Sequence, residues 1–551
     1  MDVPTAARLR KRFWFVFIVL FVLWYLLLYV VDWSVLPGGT SASRNFQSDI
    51  IQSHPADPFD AMTTKIPWSH RQDNVRVPEK KITPPPPAPE KKGDLARDLE
   101  GLEKELEPLL KQNNGKSSSL SSCAGRYVYM HDLPSRFNDD LMKQCKSLDP
   151  WVDMCNYTAN EGLGMEMGNP GKIFQARDWF YTHQFSLEPI FHARMKHYDC
   201  LTNDSSKAAA VFVPYYAGFD IARYLWGDFN ASVQDSGARD LVNWLRGRPE
   251  WKAMEGKDHF FIAGRVTWDF RRLGSTWGNS LLVLPETQNM SALTIESSPW
   301  DKNDFAIPYP TYFHPSTDEE VAQWQSKMRK QRRGTLFSFA GSERPSMQDP
   351  IRSQVMKQCL QSRRKCKLLE CKSEDKNCEK ATDVMKLFQR SVFCLQPPGD
   401  TFTRRSTFDS ILAGCIPVLF NPASFYVQYI WHLPKDFTKY SVLIPEDDVK
   451  DNKVSIERVL ARIPRRRVVA MREQVIRLIP KVVFANPRGR LKRVEDAFDL
   501  AVKGVIGRVE RLRKKEETTE FDEQKSWKYY TFGTVEKHEW DHYFRRRNLT
   551  K

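Results

Sequence analysis

From residue 126 to residue 444 the chain keeps returning to short runs of strand-forming residues, each followed by a loop and a helical pattern. Residues 126–130 (RYVYM), 209–214 (AAVFVP), 259–263 (HFFIA) and 281–284 (LLVL) form one series. Residues 335–340 (TLFSFA), 392–396 (VFCLQ), 415–420 (CIPVLF) and 441–444 (SVLI) form a second. β-rich runs alternating with helices predict parallel sheets covered by helices. A division near 315–334 predicts two doubly wound domains, 123–330 and 331–530, with 531–551 as a tail. No internal repeat relates the two series. The last long helical pattern is 491–512, where Val494, Ala497, Phe498, Ala501, Val502, Val505, Ile506 and Val509 share one face. That stripe predicts a core helix of the second domain.

Ahead of this body, residues 13–31 (FWFVFIVLFVLWYLLLYVV) carry no charge. As a helix the segment would be about 28 Å long, enough to cross a bilayer core. Arg8, Arg10, Lys11 and Arg12 precede it and Asp32 follows. The positive-inside rule then predicts a cytosolic tail at 1–12, a signal-anchor at 13–31 and a luminal remainder, a single-pass type II membrane protein. A cleaved signal peptide would be shorter and end in small residues, whereas this segment ends bulky and aromatic. Sequons at Asn156, Asn203, Asn230, Asn289 and Asn548 agree with a luminal glycoprotein. Residues 32–122 read as a stem. The prolines at 84–87 and 89 make it stiff and extended, and a charged helical patch (94–111) and a serine-rich tract (117–122) follow.

Ten cysteines are present. Cys145 with Cys155, and Cys371 with Cys378, lie in polar loop-like sequence and are expected to form local bridges. Cys394 and Cys415 sit inside apolar strand-like runs and read as buried free thiols. The spacing of Cys359, Cys366, Cys371 and Cys378 raises zinc, but no CxxC pair accompanies it, so disulfides are preferred. Formal net charge is +15. The basic runs at 363–367, 465–467 and 545–547 are short and scattered, with no zinc-finger spacing or RNP-like motif. They predict a solvated basic surface and no nucleic-acid partner. Aromatic residues make up 12% of the chain, which suits a large core and also the flat faces of sugar-binding clefts.

Chemistry concentrates in residues 392–420, VFCLQPPGDTFTRRSTFDSILAGCIPVLF. The segment reads as strand, loop, helix, glycine turn, strand. Pro397, Pro398 and Gly399 end the first strand. Asp400 or Thr401 is expected to cap a helix from about residue 402 to 413, and Gly414 to release it. Free N–H groups and the positive dipole end at the start of such a helix suit a diphosphate. Arg404 and Arg405 in its first turn are unfavourable beside that dipole unless an anion is bound. Asp409, one turn on, is a hydrogen-bond acceptor for ribose or sugar hydroxyls, or a partner for Arg405 worth about 0.2–0.5 kcal/mol.

This segment resembles the signature of the plant exostosin-like glycosyltransferases, family forty-seven, and above all the KATAMARI-type xyloglucan galactosyltransferases. CAGRYVYMHDLP (123–134), CLTNDSSKAAAVFVPYYAGFDIARYLW (200–226) and GKDHFFIAGRVTWDFRR (256–272) are similar to that group. So are SSPWDKNDFAIPYPTYFHP (297–315), LFSFAGSERP (336–345), YSVLIPEDDV (440–449) and SWKYY (526–530). The resemblance spans about 123–530 and leaves out the stem. It implies a GT-B architecture, two Rossmann-like domains facing across a cleft, with the nucleotide sugar on the second and the acceptor on the first. Ligands of open α/β sheets gather at the carboxyl ends of strands. On that rule Arg265, Ser342, Arg344, Arg352, Gly399, Asp400, Arg404, Arg405 and Asp409 are the candidate donor-binding residues, and Asp269 lies nearby.

The resemblance further implies an inverting displacement in which a base takes the acceptor's proton. Asp220 is the first candidate, with His131 and Asp132 next. No D-x-D element stands in a strand-loop setting, and residues 446–448 read as a solvated acidic loop. Arginines and helix N–H groups, with no metal or other cofactor, are therefore expected to neutralise the leaving UDP. The implied donor is UDP-galactose and the implied acceptor a xylosyl side chain of xyloglucan, joined by a β-1,2 bond on the luminal side of the Golgi membrane. The alternatives are a xyloglucan galacturonosyltransferase using UDP-galacturonic acid, a relative acting on another wall polysaccharide such as xylan or arabinan, and a non-catalytic Golgi complex subunit. The last predicts an eroded donor loop, whereas Gly399, Asp400, Arg404, Arg405 and Asp409 all stand. Oligomers with itself or with other wall glycosyltransferases are left open.

Overall fold

Strands that read as uninterrupted apolar runs fill the middle of two parallel sheets. A computed structural model describes residues 123–514 except 151, 170–171, 273–275, 344–350, 372–377 and 379. The expected anchor at 13–31, the stem, the tail at 531–551, Arg344 and Asn548 lie outside them. Among the described residues no helix is long and apolar enough to cross a membrane.

The first sheet holds β1 (Val128–Met130), β2 (Leu201–Thr202), β3 (Ala210–Val213), β4 (His259–Val266), β5 (Ser291–Glu296) and β6 (Asp304–Ala306), in the order β2-β1-β3-β4-β5-β6. The second holds β7 (Thr335–Gly341), β8 (Cys366–Glu370), β9 (Ser391–Gln396), β10 (Ile416–Leu419) and β11 (Val442–Leu443), in the order β11-β10-β9-β7-β8. Every pairing is parallel. In both sheets the order reverses beside the first strand, which is the doubly wound pattern with its ligand-binding switch point. All residues of β3 and β4 are buried, as parallel strands covered on both faces require.

The expected strand at 281–284 is not one. Leu281–Val283 is a turn of 3-10 helix, because Asn279 accepts the Leu281 N–H and Pro285 opens the next helix without an N–H to give a ladder. β5 takes its place in the sheet ten residues later. The acidic cluster at 446–448 is likewise a helical first turn, in Glu446–Lys450, with the acids at the end of the helix that favours them.

The helices that position the site are α1 (Leu187–Lys196), α2 (Ala217–Ala222), α3 (Ser236–Arg246), α4 (Asp318–Lys330), α5 (Ile351–Gln361), α6 (Ala381–Arg390), α7 (Arg405–Leu412), α8 (Arg465–Val482) and α9 (Ala497–Arg513). α4 shows how sequence sets such limits: Thr317 and Glu320 form a capping box, acids fill the first turn and bases the last. α9 also opens with a capping box, Asp496 with Asp499. Its apolar stripe is buried as expected, and it packs on the second half as expected, where the Ala497 N–H donates to the Val483 carbonyl at 2.9 Å and the Ala497 carbonyl lies 3.0 Å from His432 Nε2, but it packs on the first half too. Phe498 packs 4.6 Å from Phe191 of α1, and Arg194 of α1 reaches Asp496 at 3.3 Å. Farther along, Arg508 donates to the Ser291 hydroxyl of β5 at 2.8 Å, and Arg513 to the Ala208 carbonyl before β3 at 3.2 Å. The last helix thus bridges the halves, seated on α8 and on the first sheet. One continuous apolar core holds Phe260 and Ile262 of β4, Phe337 and Phe393 of the second sheet, and Phe498 and Val505 of α9.

All ten cysteines are paired: 123–200, 145–155, 359–366, 371–378 and 394–415. The local bridges expected at 145–155 and 371–378 are present. Cys394 and Cys415 are not free thiols. β9 and β10 are parallel neighbours, which sets the two Cα atoms 5.9 Å apart, within bridging range.

Candidate functional site

β9 delivers the chain at Gln396 into residues 397–404, and α7 follows. The helix starts three residues later than expected. Arg404 is the N-cap, in an extended conformation, and no side chain caps the helix. Asp400 and Thr401 have another task. Asp400 Oδ1 accepts from Arg404 Nη2 at 2.8 Å, and Thr401 Oγ1 from Arg404 Nη1 at 2.9 Å. Arg352 of α5 donates to the Pro398 carbonyl at 3.2 Å. A Cβ on Gly399 would collide with the Arg404 guanidinium and stand 2.5 Å from Arg352 Nη2. Glycine there lets two guanidiniums close over the turn. Ser342, half-buried, follows the end of β7 on the neighbouring strand. α7 ends where Gly414 takes a φ of +63°: its N–H returns to Ile411 and that of Cys415 to Ser410, which closes the helix with two backbone bonds.

The carboxyl end of the first sheet meets this turn. Glu296, the last residue of β5, is fully buried and accepts the backbone N–H and the hydroxyl of Thr403, both at 2.6 Å. Its other oxygen takes the Trp268 indole N–H at 3.0 Å, and the Tyr309 hydroxyl lies 3.0 Å from Thr403 Oγ1. Arg405 donates to the Thr182 carbonyl at 2.7 Å and lies over the Tyr312 ring, 3.8 Å from its centroid. Arg265, at the end of β4, is paired with Asp269 at 2.6 Å and covers the Phe185 ring at 4.0 Å. Asp269 in turn accepts from the Trp277 indole at 2.8 Å. Beside Arg405 and Arg265 stands His183. Burial, then the positive charge of Arg405 and of Arg265, pushes its pKa down to about 3, so the ring is neutral. The Phe185 N–H points at its Nδ1 from 3.4 Å, which puts the ring proton on Nε2.

Polar atoms left without partners gather at this same place. Arg405 Nε and Nη2, Asp409 Oδ1, Asp400 Oδ2 and Gln396 Nε2 are all buried and unbonded. Asp409 is 3.8 Å from Arg405, too long for a hydrogen bond. Burial pushes its carboxyl up to about 6, against the pull of Arg405. An orphaned buried group costs roughly 1–3 kcal/mol, and more if charged. Several around one turn leave both donors and acceptors unmet at the same place. Among the described residues no three His, Cys, Asp or Glu side chains converge as metal ligands.

The candidate bases lie differently. Asp220, in α2, receives the Tyr215 hydroxyl at 2.6 Å on one oxygen and Arg223 on the other, and its side chain presses on Gly237 of α3. Each oxygen thus has one partner, and the carboxylate braces α2 against α3. His131 bonds His259 Nε2 at 3.1 Å, and His259 bonds Asp258 at 2.7 Å. Burial, then His259 and Arg248, pushes His131 down to about 3. Asp132 is exposed. The first half of the chain instead brings Glu296 and Tyr309 to the turn and Tyr312 to Arg405, with His183 and Arg265 beside them, and of these only Arg265 is a candidate from the sequence. A strand misplaced at 281–284 hid the carboxyl end of β5, where Glu296 stands. Glu188 of α1 was missed as well. It accepts the N–H groups of Gly218, Phe219 and Gly264, which ties the elbow after β3 to the strand that carries Arg265. Burial pushes its carboxyl up to about 8. Of the sequons, Asn156, Asn203 and Asn230 are exposed and Asn289 is half-buried.

Comparison with known proteins adds an independent line. Residues 122–460 match the Exostosin GT47 domain. The xyloglucan galactosyltransferase MUR3 of Arabidopsis thaliana is 50% identical over 480 residues, 85% of this chain and 77% of its own length. The probable xyloglucan galactosyltransferase GT12 of the same plant is 49% identical over 72% of this chain and 79% of its own. Its xyloglucan-specific galacturonosyltransferase 1 is 43% identical over 72% of this chain and 59% of its own. Among solved structures, the GtfA/B complex covers 49% of this chain and 60% of its own at 12% identity, with a TM-score of 0.24, a likeness too slight to build on.

Proposed function

Because this chain belongs to the exostosin GT47 family, we infer that it is a galactosyltransferase that moves galactose from UDP-galactose to the xylosyl side chains of xyloglucan. The observation that carries the donor half is the set of unbonded buried polar atoms around the β9–α7 turn. We read the two doubly wound sheets as the lobes of a GT-B enzyme, with the donor on the second.

In that reading Arg352 and Arg404 close on the diphosphate over Gly399, beside the uncapped start of α7. As the sugar–phosphate bond breaks, charge grows on the departing oxygen. Fixed guanidiniums and N–H groups meet it without reorganising, which lowers the barrier. Arg405 and Asp409 hold ribose or sugar hydroxyls, and Ser342 extends the same edge. From the opposite sheet Arg265 and the Nε2–H of His183 supply further donors. The acceptor hydroxyl attacks the anomeric carbon from the face opposite the leaving UDP, and inversion gives the β-1,2 bond. Its proton passes to a base on the acceptor side, and Asp220 keeps a second lone pair on each oxygen beside Tyr215 and Arg223 for that role.

The disulfides and the exposed sequons Asn156, Asn203 and Asn230 support an oxidising, luminal setting. The charge-free segment at 13–31 would hold the enzyme in the Golgi membrane, alone or beside other wall glycosyltransferases.

The test is direct. The purified chain is incubated with a panel of UDP-sugars and galactose-free xyloglucan oligosaccharides, with and without EDTA, and the products are weighed. Hexose addition from UDP-galactose that survives EDTA supports the reading. Addition only from UDP-galacturonic acid would keep the site and change the sugar. No transfer to any xyloglucan would refute the acceptor.

A further inference from the structure

The donor turn is not held by its own sheet alone. Thr403 precedes the α7 N-cap, and its carbonyl accepts from Arg404 Nη1 at 2.6 Å. Its backbone N–H and hydroxyl both donate to one oxygen of Glu296 in the other sheet. Since that hydroxyl gives its proton to Glu296, it accepts from Tyr309. The second oxygen of Glu296 accepts from Trp268. Three donors, the Thr403 N–H, the Thr403 hydroxyl and the Trp268 indole N–H, thus converge on one fully buried carboxylate.

We propose that Glu296 is a positioning residue for the nucleotide sugar: from the acceptor-side sheet its carboxylate fixes Thr403, and through Thr403 it aims the Arg404 and Arg405 guanidiniums at the diphosphate. The proposal rests on the donor assignment to the β9–α7 turn. Its chemistry is specific. A glutamine at 296 must turn its NH2 group either toward the Thr403 donors or toward the Trp268 N–H, and donor meets donor both ways. A valine at 403 keeps the shape and the backbone bond but removes the hydroxyl. A serine keeps the hydroxyl. A side chain that served only stability would lower the melting temperature without changing how the folded protein binds UDP.

The experiment uses the full chain in detergent, calorimetry with UDP well below the melting temperature of each variant, and melting curves alongside. Glu296→Gln and Thr403→Val are expected to weaken UDP binding about tenfold or more, as a buried donor left unpaired implies. Thr403→Ser restores most of the affinity. The double variant Glu296→Gln/Thr403→Val is no worse than the weaker single one, because both cut the same link. Folded Glu296→Gln or Thr403→Val protein that binds UDP like the wild type overturns the proposal. Should Glu296→Gln fail to fold, the Thr403 pair decides alone. Wild-type protein that does not bind UDP would refute the donor assignment itself, whereas failure confined to the variants leaves that assignment standing.

Discussion

Replacing Cys394 and Cys415 together by alanine tests how the donor turn is fastened. The bridge spans 21 residues, and those residues include the whole turn and α7. In the chain-entropy account, opening a loop of that length returns about 3 kcal/mol of freedom to the unfolded chain at 25 °C. Both cysteines are completely buried, so the lost sulfur atoms also leave a small cavity. The native turn keeps its other fastenings, the Glu296–Thr403 bonds and the Arg404–Asp400 pair. The double variant should therefore lose about 3 kcal/mol in urea unfolding followed by tryptophan fluorescence without reductant. Its UDP affinity at 25 °C should stay within about threefold of wild type, since the lost energy belongs to the unfolded chain. Thiol titration of the denatured, unreduced wild type is the control, and no reactive thiol is expected. An unchanged urea midpoint would refute the reasoning. A large loss of UDP affinity with an unchanged midpoint would instead make the bridge part of the site's geometry.

Other expectations follow from the same structure. Arg405→Ala should weaken UDP-galactose binding about 10- to 100-fold, the range for a charge-assisted hydrogen bond, as read by calorimetry. Asp409 accepts hydroxyls best as a carboxylate, and its folded pKa is about 6. UDP-galactose affinity should therefore fall as pH drops below about 6, and Asp409→Asn should lose that dependence. The stability effect has the opposite sign. A pKa raised above the unfolded value makes Asp409 most favourable below about pH 4, and its contribution falls as pH rises through about 6. Asp220→Asn should lower the melting temperature by breaking the Arg223 pair while most turnover survives. A folded variant with abolished turnover and intact UDP binding would return Asp220 to the role of base. Phe498→Ala should cost about 3–5 kcal/mol, because the ring fills the joint between α9 and α1.

The parallel sheets were legible because buried parallel strands announce themselves as short apolar runs, and β3, β4, β7, β9 and β10 all do. β5 (SALTIE) is less apolar than the decoy LLVL, and only Pro285 distinguishes the decoy as a turn. That single misplacement concealed Glu296. The donor turn was legible as a unit, since Gly399, two arginines and Gly414 have meaning at those spacings. That Asp400 and Thr401 hold Arg404 and do not cap α7 was not, because a capping side chain and a partner for Arg404 look alike in sequence. The engagement of Asp220 depends on Tyr215, Arg223 and Gly237 meeting in space. The Cys394–Cys415 bridge depends on two strands lying side by side, which apolar surroundings alone do not reveal.

The return of α9 to the first sheet bears on how donor preference can be traded among relatives. A hybrid made with one crossover near residue 330, taking its second half from a galacturonosyltransferase, would import a foreign α9 together with the foreign donor turn. That helix would have to seat its aromatic ring against a native α1, one arginine against a native β5 and another against Ala208 before β3. Recombination at two points, one before β7 and one before Asp496, keeps α9 on its native α1 and β5 and instead asks it to fit a foreign α8 and Trp431. On the donor assignment proposed above, one helix therefore binds the inheritance of sugar preference to both halves at once, and hybrids that carry α1, α8 and α9 from one parent should fold best.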